Sequence, residues 1–238
     1  MQHKLVRVKN VISLSKAYEE SIGSNSDVPK MGLLYAPPGF GKTTAATWLV
    51  TKENGIYVRA AATWTLTEMM TAILKELSLE PLNLPSKMLE PIVEQMKALD
   101  RPLFVDESDY LLRNPRMLEV ARDIHDLSKK PVWFISADGL EKKIVNRAKI
   151  SDRISQWVQF HKLDSSDAKK VADELCEVKV SDDLIELLHS KANGSIRRVT
   201  VGLSRIESFA KSRAMDSIDA KEWGEKPFFL TKELKNDA

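Results

Sequence analysis

Short apolar runs alternate with longer amphipathic stretches between residues 31 and 162 of this 238-residue chain. The runs are rich in Val, Ile, Leu and aromatic residues and are too short for helices, so each predicts a buried β-strand. Parallel strands need long crossover connections, and the amphipathic stretches can supply them as helices. The predicted strands cover residues 31–35, 55–60, 102–106, 132–137 and 157–161.

The amphipathic stretches predict crossover helices over residues 43–52, 65–77, 89–99 and 117–127. The second of these opens with a capping box, because Glu68 follows Thr65 by three positions. Strands and helices together predict an α/β domain over residues 31–163, in which helices flank a five-stranded parallel sheet.

After residue 163 the pattern becomes helical. An apolar face with helical spacing contains Leu184 and Leu188, and a second contains Val199 and Leu203. We therefore expect a small helical lid domain over residues 164–216, followed by a C-terminal tail over residues 217–238. Residues 1–30 are expected to form a short arm or one helix.

Composition narrows the class of protein. Hydrophobic residues make up 43% of the chain and charged residues 29%, and no apolar run approaches the roughly 18 residues of a membrane span. Cys176 is the single cysteine, and the four histidines show no metal-ligand spacing. These features predict a cytoplasmic protein without membrane contact. The net charge of +2 means that any nucleic-acid binding must come from local basic groups.

A phosphate-binding loop, or P-loop, is indicated by the sequence APPGFGKTT at residues 36–44. Such a loop needs backbone N–H groups that point inward, glycines where side chains would collide, and a following helix N-terminus. Ala36 stands where the usual pattern begins with glycine. In the general scheme the lysine reaches the β and γ phosphates of ATP and the next hydroxyl holds Mg²⁺. The predicted nucleotide-binding residues are Pro38, Gly39, Phe40, Gly41, Lys42, Thr43 and Thr44.

A second element, LFVDE at residues 103–107, is a buried strand that ends in two acids, as in a Walker B motif. Asp106 is expected to join Thr43 in holding Mg²⁺, and Glu107 to polarise the attacking water. The alternative is a strand followed by a solvated acidic turn. The presence of both acids favours hydrolysis over binding alone.

Four further residues are candidates for sensing the phosphates of ATP or for stabilising their charge during hydrolysis. Ser136 ends the fourth predicted strand, where it can sense the γ phosphate or simply cap the strand. Arg147 and Arg153 flank the segment before the fifth strand, and either can act as an arginine finger toward a neighbouring subunit or be a surface residue. Arg197, in GSIRR, is the candidate second sensor, brought over the nucleotide by lid closure. A solvated arginine remains the alternative there.

With these motifs in this order, the chain resembles the AAA+ ATPases. The segments LLYAPPGFGKTTAA, YVRAAATWT and RPLFVDESDYL further resemble the transposition ATPases typified by the phage Mu B protein. The resemblance implies an ATPase of bacteria or phage-infected cells that assembles as a filament or ring on double-stranded DNA, largely without sequence preference. It also implies that the protein delivers target DNA to a transposase and stimulates it. Phage Mu B carries an N-terminal helix-turn-helix-like domain, whereas about thirty residues precede the first predicted strand here, so a separate DNA-reading module is not expected.

DNA contact is expected on loops that carry repeated positive charge to phosphates in an oligomer. The candidates are Lys87, Arg113 and Arg116. The alternative is that all three are exposed charges that only keep the protein in solution. Three alternative functions remain open: a helicase-loader-like AAA+ protein, a nucleotide-switched binding protein with negligible hydrolysis, and a kinase.

Overall fold

The computed structural model describes residues 1–2, 4–25 and 27–229, which form two compact units. Unit 1 contains Met1–Lys9, Pro38–Gly41 and the segment that begins at His161. Unit 2 contains Asn10–Pro37 and Lys42–Phe160. The last part of the expected tail, residues 230–238, lies outside the described residues.

Helices and strands alternate through the first two thirds of the chain, as the hydrophobic pattern predicts. A 3₁₀ helix, Ser108–Arg113, follows the third strand. The other elements are α1 (Lys9–Gly23), β1 (Met31–Tyr35), α2 (Lys42–Lys52), β2 (Ile56–Arg59), α3 (Leu66–Glu76), α4 (Pro85–Leu99), β3 (Leu103–Asp106), α5 (Pro115–Ser128), β4 (Val132–Ser136), α6 (Leu140–Val145), α7 (Ala148–Ser151) and β5 (Ile154–Gln159).

The five strands form one parallel sheet in the order β2-β3-β4-β1-β5, which confirms the predicted fold class. The connection from β1 to β2 runs across the sheet in one direction, and the three later connections run in the other. The topological switch therefore lies beside β1. In sheets of this kind, ligands bind outside the carboxyl ends of the strands at that switch.

Two predicted starts differ from the structure by at least three residues. β5 begins at Ile154 instead of residue 157, because its exposed polar residues, Ser155 and Gln159 among them, hide the apolar signal of an edge strand. α4 begins at Pro85 instead of residue 89, since proline is well accommodated in the first turn of a helix. The capping box of Thr65 and Glu68 is confirmed.

The core of unit 2 lies on both faces of the sheet. Buried side chains from β1, β3 and β4 pack against α3, α4 and α5. The aromatic ring of Tyr18 in α1 packs against the rings of Phe104 and Trp133, with centroid distances of 6.0 and 5.9 Å. Trp133 in turn covers Gly32, where an added Cβ would lie 2.4 Å from the indole. One helix of residues 1–30 thus helps to bury the sheet.

Unit 1 is mainly helical, but it also contains a two-stranded parallel pair that the sequence pattern does not predict. The two strands are two residues long each, too short to produce a detectable alternation. The elements of unit 1 beyond His161 are α8 (Ser165–Leu175), β6 (Lys179–Val180), α9 (Asp182–Ala192), α10 (Ile196–Lys211), β7 (Ser217–Ile218) and α11 (Ala220–Trp223).

Candidate nucleotide site

The tip of the P-loop packs against the start of α10 within unit 1. Gly39 and Gly41 have φ angles of 85° and 86°, which L side chains rarely adopt. A Cβ on Gly39 would lie 2.7 Å from Ser195 Oγ, and a Cβ on Gly41 would lie 3.2 Å from Ile196 Cγ2. Both positions therefore favour glycine for backbone conformation, and Gly39 also for its close approach to Ser195.

The same helix start holds the backbone of the loop. The Arg197 N–H donates to the Gly39 carbonyl at 3.1 Å, and the Ser195 hydroxyl donates to the same oxygen at 3.2 Å. Ser195 also caps α10, because its Oγ accepts from the Arg198 N–H. The Arg197 side chain is exposed. Its backbone thus touches the loop, while a sensing role for its guanidinium stays a prediction.

Lys42 begins α2 and folds back on the loop. Its Nζ donates to the carbonyl oxygens of Ala36 and Pro37, at 2.6 and 3.1 Å. Burial lowers the pKa of the Lys42 ammonium. Ala36 is fully buried and is not among the described residues with positive φ, so this position does not require glycine. The ammonium thus has two loop carbonyls as its partners, and its contact with phosphates stays a prediction.

Thr43 and Asp106 lie together, as a shared metal site requires. The Thr43 hydroxyl donates to Asp106 Oδ2 at 2.9 Å, and the Glu107 N–H donates to Oδ1 at 2.8 Å. The Tyr57 hydroxyl on β2 also donates to Oδ2, at 2.8 Å. Asp106 is only 2% exposed. A hydroxyl and a carboxylate are hard oxygen ligands of the kind that Mg²⁺ takes, so the donor set fits that ion.

Glu107 differs from its neighbour in both backbone and exposure. It adopts φ 53° and ψ 38°, a left-handed conformation that costs a non-glycine residue about 1–3 kcal/mol and is concentrated at functional sites. Its Oε1 accepts a hydrogen bond from Arg59 Nη2 at 3.0 Å, in an ion pair in which the Glu107 side chain is 35% exposed. The carboxylate is thus held at the carboxyl edge of the sheet by one solvent-exposed partner.

Ser136 ends β4 beside the end of β1, since it pairs in register with Tyr35. Its hydroxyl donates to the carbonyl of Ala137 at 2.8 Å, and the residue is buried. This hydrogen bond is the one a strand-ending cap would make. A sensing role for Ser136 stays a prediction.

The two finger candidates have different surroundings. Arg153 forms an ion pair with Asp126 at 3.3 Å, and its carbonyl accepts from the N–H of Met31, at the start of β1. Arg147 instead lines a groove of about 260 Å³ with Lys149 and the first turns of α5. Within the part of the chain that the structure describes, its side chain has no hydrogen-bond or ion-pair partner. Arg147 is therefore the less constrained of the two cations.

The three DNA-contact candidates are all exposed. Lys87 and Arg116 lie in the first turns of α4 and α5, and both helices end just before strands at the amino edge of the sheet. Their first turns consequently lie toward the carboxyl edge. Arg113 donates to the carbonyl of Ala62 at 2.9 Å and lies over the ring of Tyr110. It therefore has a structural contact that the sequence does not reveal.

Sequence reasoning overlooked Tyr57 and Arg59 at this edge. They are two positions apart on β2, so both side chains lie on one face of the sheet, and each contacts one of the two acids that end β3. A polar or charged residue at alternate positions at the end of a short strand was the available signal. The strand order that places β2 beside β3 leaves no signal in the sequence.

None of the helices in the described ranges is long and apolar enough to cross a membrane.

Comparisons with known proteins agree with this geometry. A family model described as an AAA domain matches residues 26–144, whereas no curated protein sequence matches the chain.

Three solved structures illustrate the proteins with similar folds. The ORC2 protein of Aeropyrum pernix, in ADPNP-ADP complexes, has a TM-score of 0.73 and 16% identity, covering 92% of this chain and 66% of its own. The ORC1 protein of the same organism, in complex with DNA, has a TM-score of 0.65 and 15% identity, covering 93% and 64%. Domain III of the Thermotoga maritima replication initiation protein DnaA has a TM-score of 0.57 and 14% identity, covering 92% and 91%.

This chain spans slightly less than two thirds of the length of the two ORC proteins. At these identities the likeness concerns the fold. The family match, the parallel sheet with its P-loop after β1, and the acids at the end of β3 lead to one conclusion: the chain belongs to the AAA domain family.

Proposed function

We propose that this protein binds ATP with Mg²⁺ and hydrolyses it. The observation that carries the proposal is the 2.9 Å contact between the Thr43 hydroxyl and Asp106, with Glu107 adjacent at the same edge of the sheet. The P-loop supplies a hydroxyl for the metal, and the end of β3 supplies both a metal-binding carboxylate and a second acid. A protein that only bound nucleotide would not need that second acid.

Each residue has a distinct role in this proposal. Lys42 exchanges its two loop carbonyls for the β and γ phosphates, and backbone N–H groups of residues 38–44 surround them. Thr43 and Asp106 hold Mg²⁺, which when bound neutralises phosphate charge. Glu107 leaves its ion pair with Arg59 and orients and polarises the attacking water. Ser136 and Arg197 are proposed to sense the phosphate state.

Hydrolysis is further proposed to depend on a neighbouring subunit through an arginine finger. Arg147 is preferred over Arg153, because Arg153 is engaged by Asp126 while Arg147 faces a groove. In GTPases such a finger is worth about 10³–10⁵ in rate. Arg147→Ala is expected to lower turnover by about that range in assembled protein, and Arg153→Ala to leave turnover unchanged. The reverse result would assign the finger to Arg153.

The working form is proposed to be a filament or ring on double-stranded DNA, bound largely without sequence preference. Lys87, Arg113 and Arg116 would repeat once per subunit, so a chain of net charge +2 would give a continuous basic lining. The motif resemblance to the Mu B-like ATPases supports the finer proposal that the protein selects target DNA, delivers it to a transposase and stimulates that transposase.

A replication-initiator or helicase-loader-like function is the second candidate, favoured by the fold likeness to ORC and DnaA proteins. Gel-shift assays with ATP distinguish a transposition protein from a helicase loader. The transposition proposal predicts preference for duplex DNA, and a preference for single strands would favour a loader.

The hydrolysis proposal is tested by phosphate release from ATP with and without duplex DNA, and assembly by electron microscopy with a slowly hydrolysed ATP analogue. Filaments or rings on duplex DNA, together with phosphate release in the absence of any acceptor, are the expected results. Nucleotide-dependent DNA binding without phosphate release would instead identify a nucleotide-switched binding protein. Transfer of phosphate to an acceptor would identify a kinase.

A further inference from the structure

In the described structure, the Tyr57 side chain donates a hydrogen bond to Asp106. No other described side chain outside the P-loop and the end of β3 does so. The Tyr57 hydroxyl donates to Oδ2 at 2.8 Å, and the Thr43 hydroxyl donates to the same oxygen at 2.9 Å. Among the described residues, the neighbouring oxygen, Oδ1, accepts a hydrogen bond only from the Glu107 N–H. Both carboxylate oxygens are therefore fixed in direction, and two of the three donors are side-chain hydroxyls.

The backbone explains why Tyr57 reaches this position. β2 and β3 are parallel neighbours with Tyr57 opposite Phe104 and Arg59 opposite Asp106. Tyr57 is thus two residues before the partner of Asp106, and its long side chain extends along the strand toward the carboxyl edge.

A buried carboxylate that must coordinate a metal benefits from a donor that does not itself take part in coordination. Thr43 cannot serve as that donor alone, because its hydroxyl oxygen is expected to bind the metal. Groups that orient metal ligands from behind are typically worth about 10- to 100-fold in metal affinity. Tyr57 has the position, the partial burial and the donor chemistry of such a group.

We propose that Tyr57 is a positioning residue that holds Asp106 in its Mg²⁺-binding orientation and thereby sets the Mg²⁺ concentration that nucleotide binding requires. This inference rests on the proposed function, since it assumes that ATP binds here with Mg²⁺. Tyr57 touches neither nucleotide nor water in this role. It acts through Asp106.

The test is Tyr57→Phe, which removes only the hydroxyl. ATP affinity is measured by equilibrium titration in EDTA and across a Mg²⁺ series. The variant is expected to match the wild type in EDTA, to need about 10- to 100-fold more Mg²⁺ for half of the metal-dependent gain in affinity, and to recover wild-type affinity at saturating Mg²⁺. The control is Tyr18→Phe, which removes the hydroxyl of a buried tyrosine in unit 2 whose ring packs against Phe104 and Trp133. It should leave the Mg²⁺ dependence unchanged.

A Tyr57→Phe variant with the Mg²⁺ requirement of the wild type would overturn this inference alone and leave the proposed function intact. An equal loss of affinity in EDTA and in Mg²⁺ would also overturn it, because that pattern reports general disruption of the fold. A wild-type protein that binds no ATP under any condition would overturn both the inference and the proposed function.

Discussion

The two edges of the five-stranded sheet hold their polar side chains in different ways. At the carboxyl edge, Asp106 and Glu107 are bound by the side chains of Thr43, Tyr57 and Arg59. These are contacts between side chains, and most of the groups belong to the proposed site. The contacts of Thr43 and Glu107 can be exchanged when nucleotide and metal arrive, whereas the contact of Tyr57 with Asp106 is proposed to persist.

At the amino edge, the His125 side chain contacts backbone groups instead of other side chains. His125 Nε2 accepts the N–H of Lys30, one residue before β1, and Nδ1 lies 2.8 Å from the carbonyl of Lys130, two residues before β4. Burial lowers the pKa of His125, which keeps the ring neutral so that one nitrogen can accept and the other donate. Arg153 pairs with Asp126 nearby.

The difference shows a division of labour within one sheet. Substitutions at the carboxyl edge should change nucleotide chemistry with little effect on folding. Substitutions at the amino edge should change folding stability with little effect on chemistry. Each prediction below tests whether the two edges differ in this way.

Among the substitutions that compare the two edges, the largest effect is expected for Glu107→Gln. Loss of a general base lowers turnover by about 10²–10⁴, whereas ATP-dependent DNA binding should persist and the oligomer should be trapped. Phosphate release and gel shifts measure the two properties, and thermal melting should show no loss of stability. If turnover is unchanged, Glu107 is not the base.

Next in size is His125→Leu, which replaces the ring with an apolar side chain and leaves the Lys30 N–H and the Lys130 carbonyl without their partner. Unpaired buried groups of this kind cost about 1–3 kcal/mol in the free energy of unfolding. Urea denaturation measures this loss. ATP turnover per folded molecule should stay at the wild-type value, and a selective loss of turnover would contradict a purely structural amino edge.

The pH dependence of stability should follow from the same histidine. Its pKa is lowered below 6.5 in the folded state, so the unfolded chain binds the proton more readily. The His125 contribution to stability is therefore complete above about pH 6.5 and declines as pH falls below that value. Denaturation midpoints at several pH values should show a shallower decline in His125→Leu than in the wild type. Parallel curves would exclude His125 as the source.

The smallest effect is expected for Arg59→Ala. The exposed ion pair with Glu107 is worth about 0.2–1 kcal/mol, so its loss should raise basal ATP turnover by no more than about fivefold. The increase should shrink at high salt, since exposed pairs are screened. A large fall in turnover would instead mean that Arg59 takes part in the reaction.

The sequence predicted the sheet, the P-loop and the paired acids because each leaves a local mark. Strands β1 to β4 are continuous apolar runs, and Gly39, Gly41 and Lys42 have a fixed spacing. The contacts of Tyr57 and Arg59 depend on strand order, which places β2 beside β3 and cannot be deduced from the spacing of motifs. The ion pair between Arg153 and Asp126 likewise joins segments that are distant in the sequence.

The short helices α6 and α7 and the strands β6 and β7 were also beyond sequence prediction. Elements of two to six residues give too few positions for a periodic pattern. Their formation depends on packing against longer neighbours.

The central claim is that the loop at residues 36–44 binds ATP with Mg²⁺, and equilibrium titration of ATP into the wild type and into Lys42→Ala tests it most directly. The account predicts saturable, Mg²⁺-enhanced binding by the wild type and none by the variant, with both proteins equally folded by circular dichroism. Equal ATP binding by the two proteins, or no binding by the wild type, would contradict it.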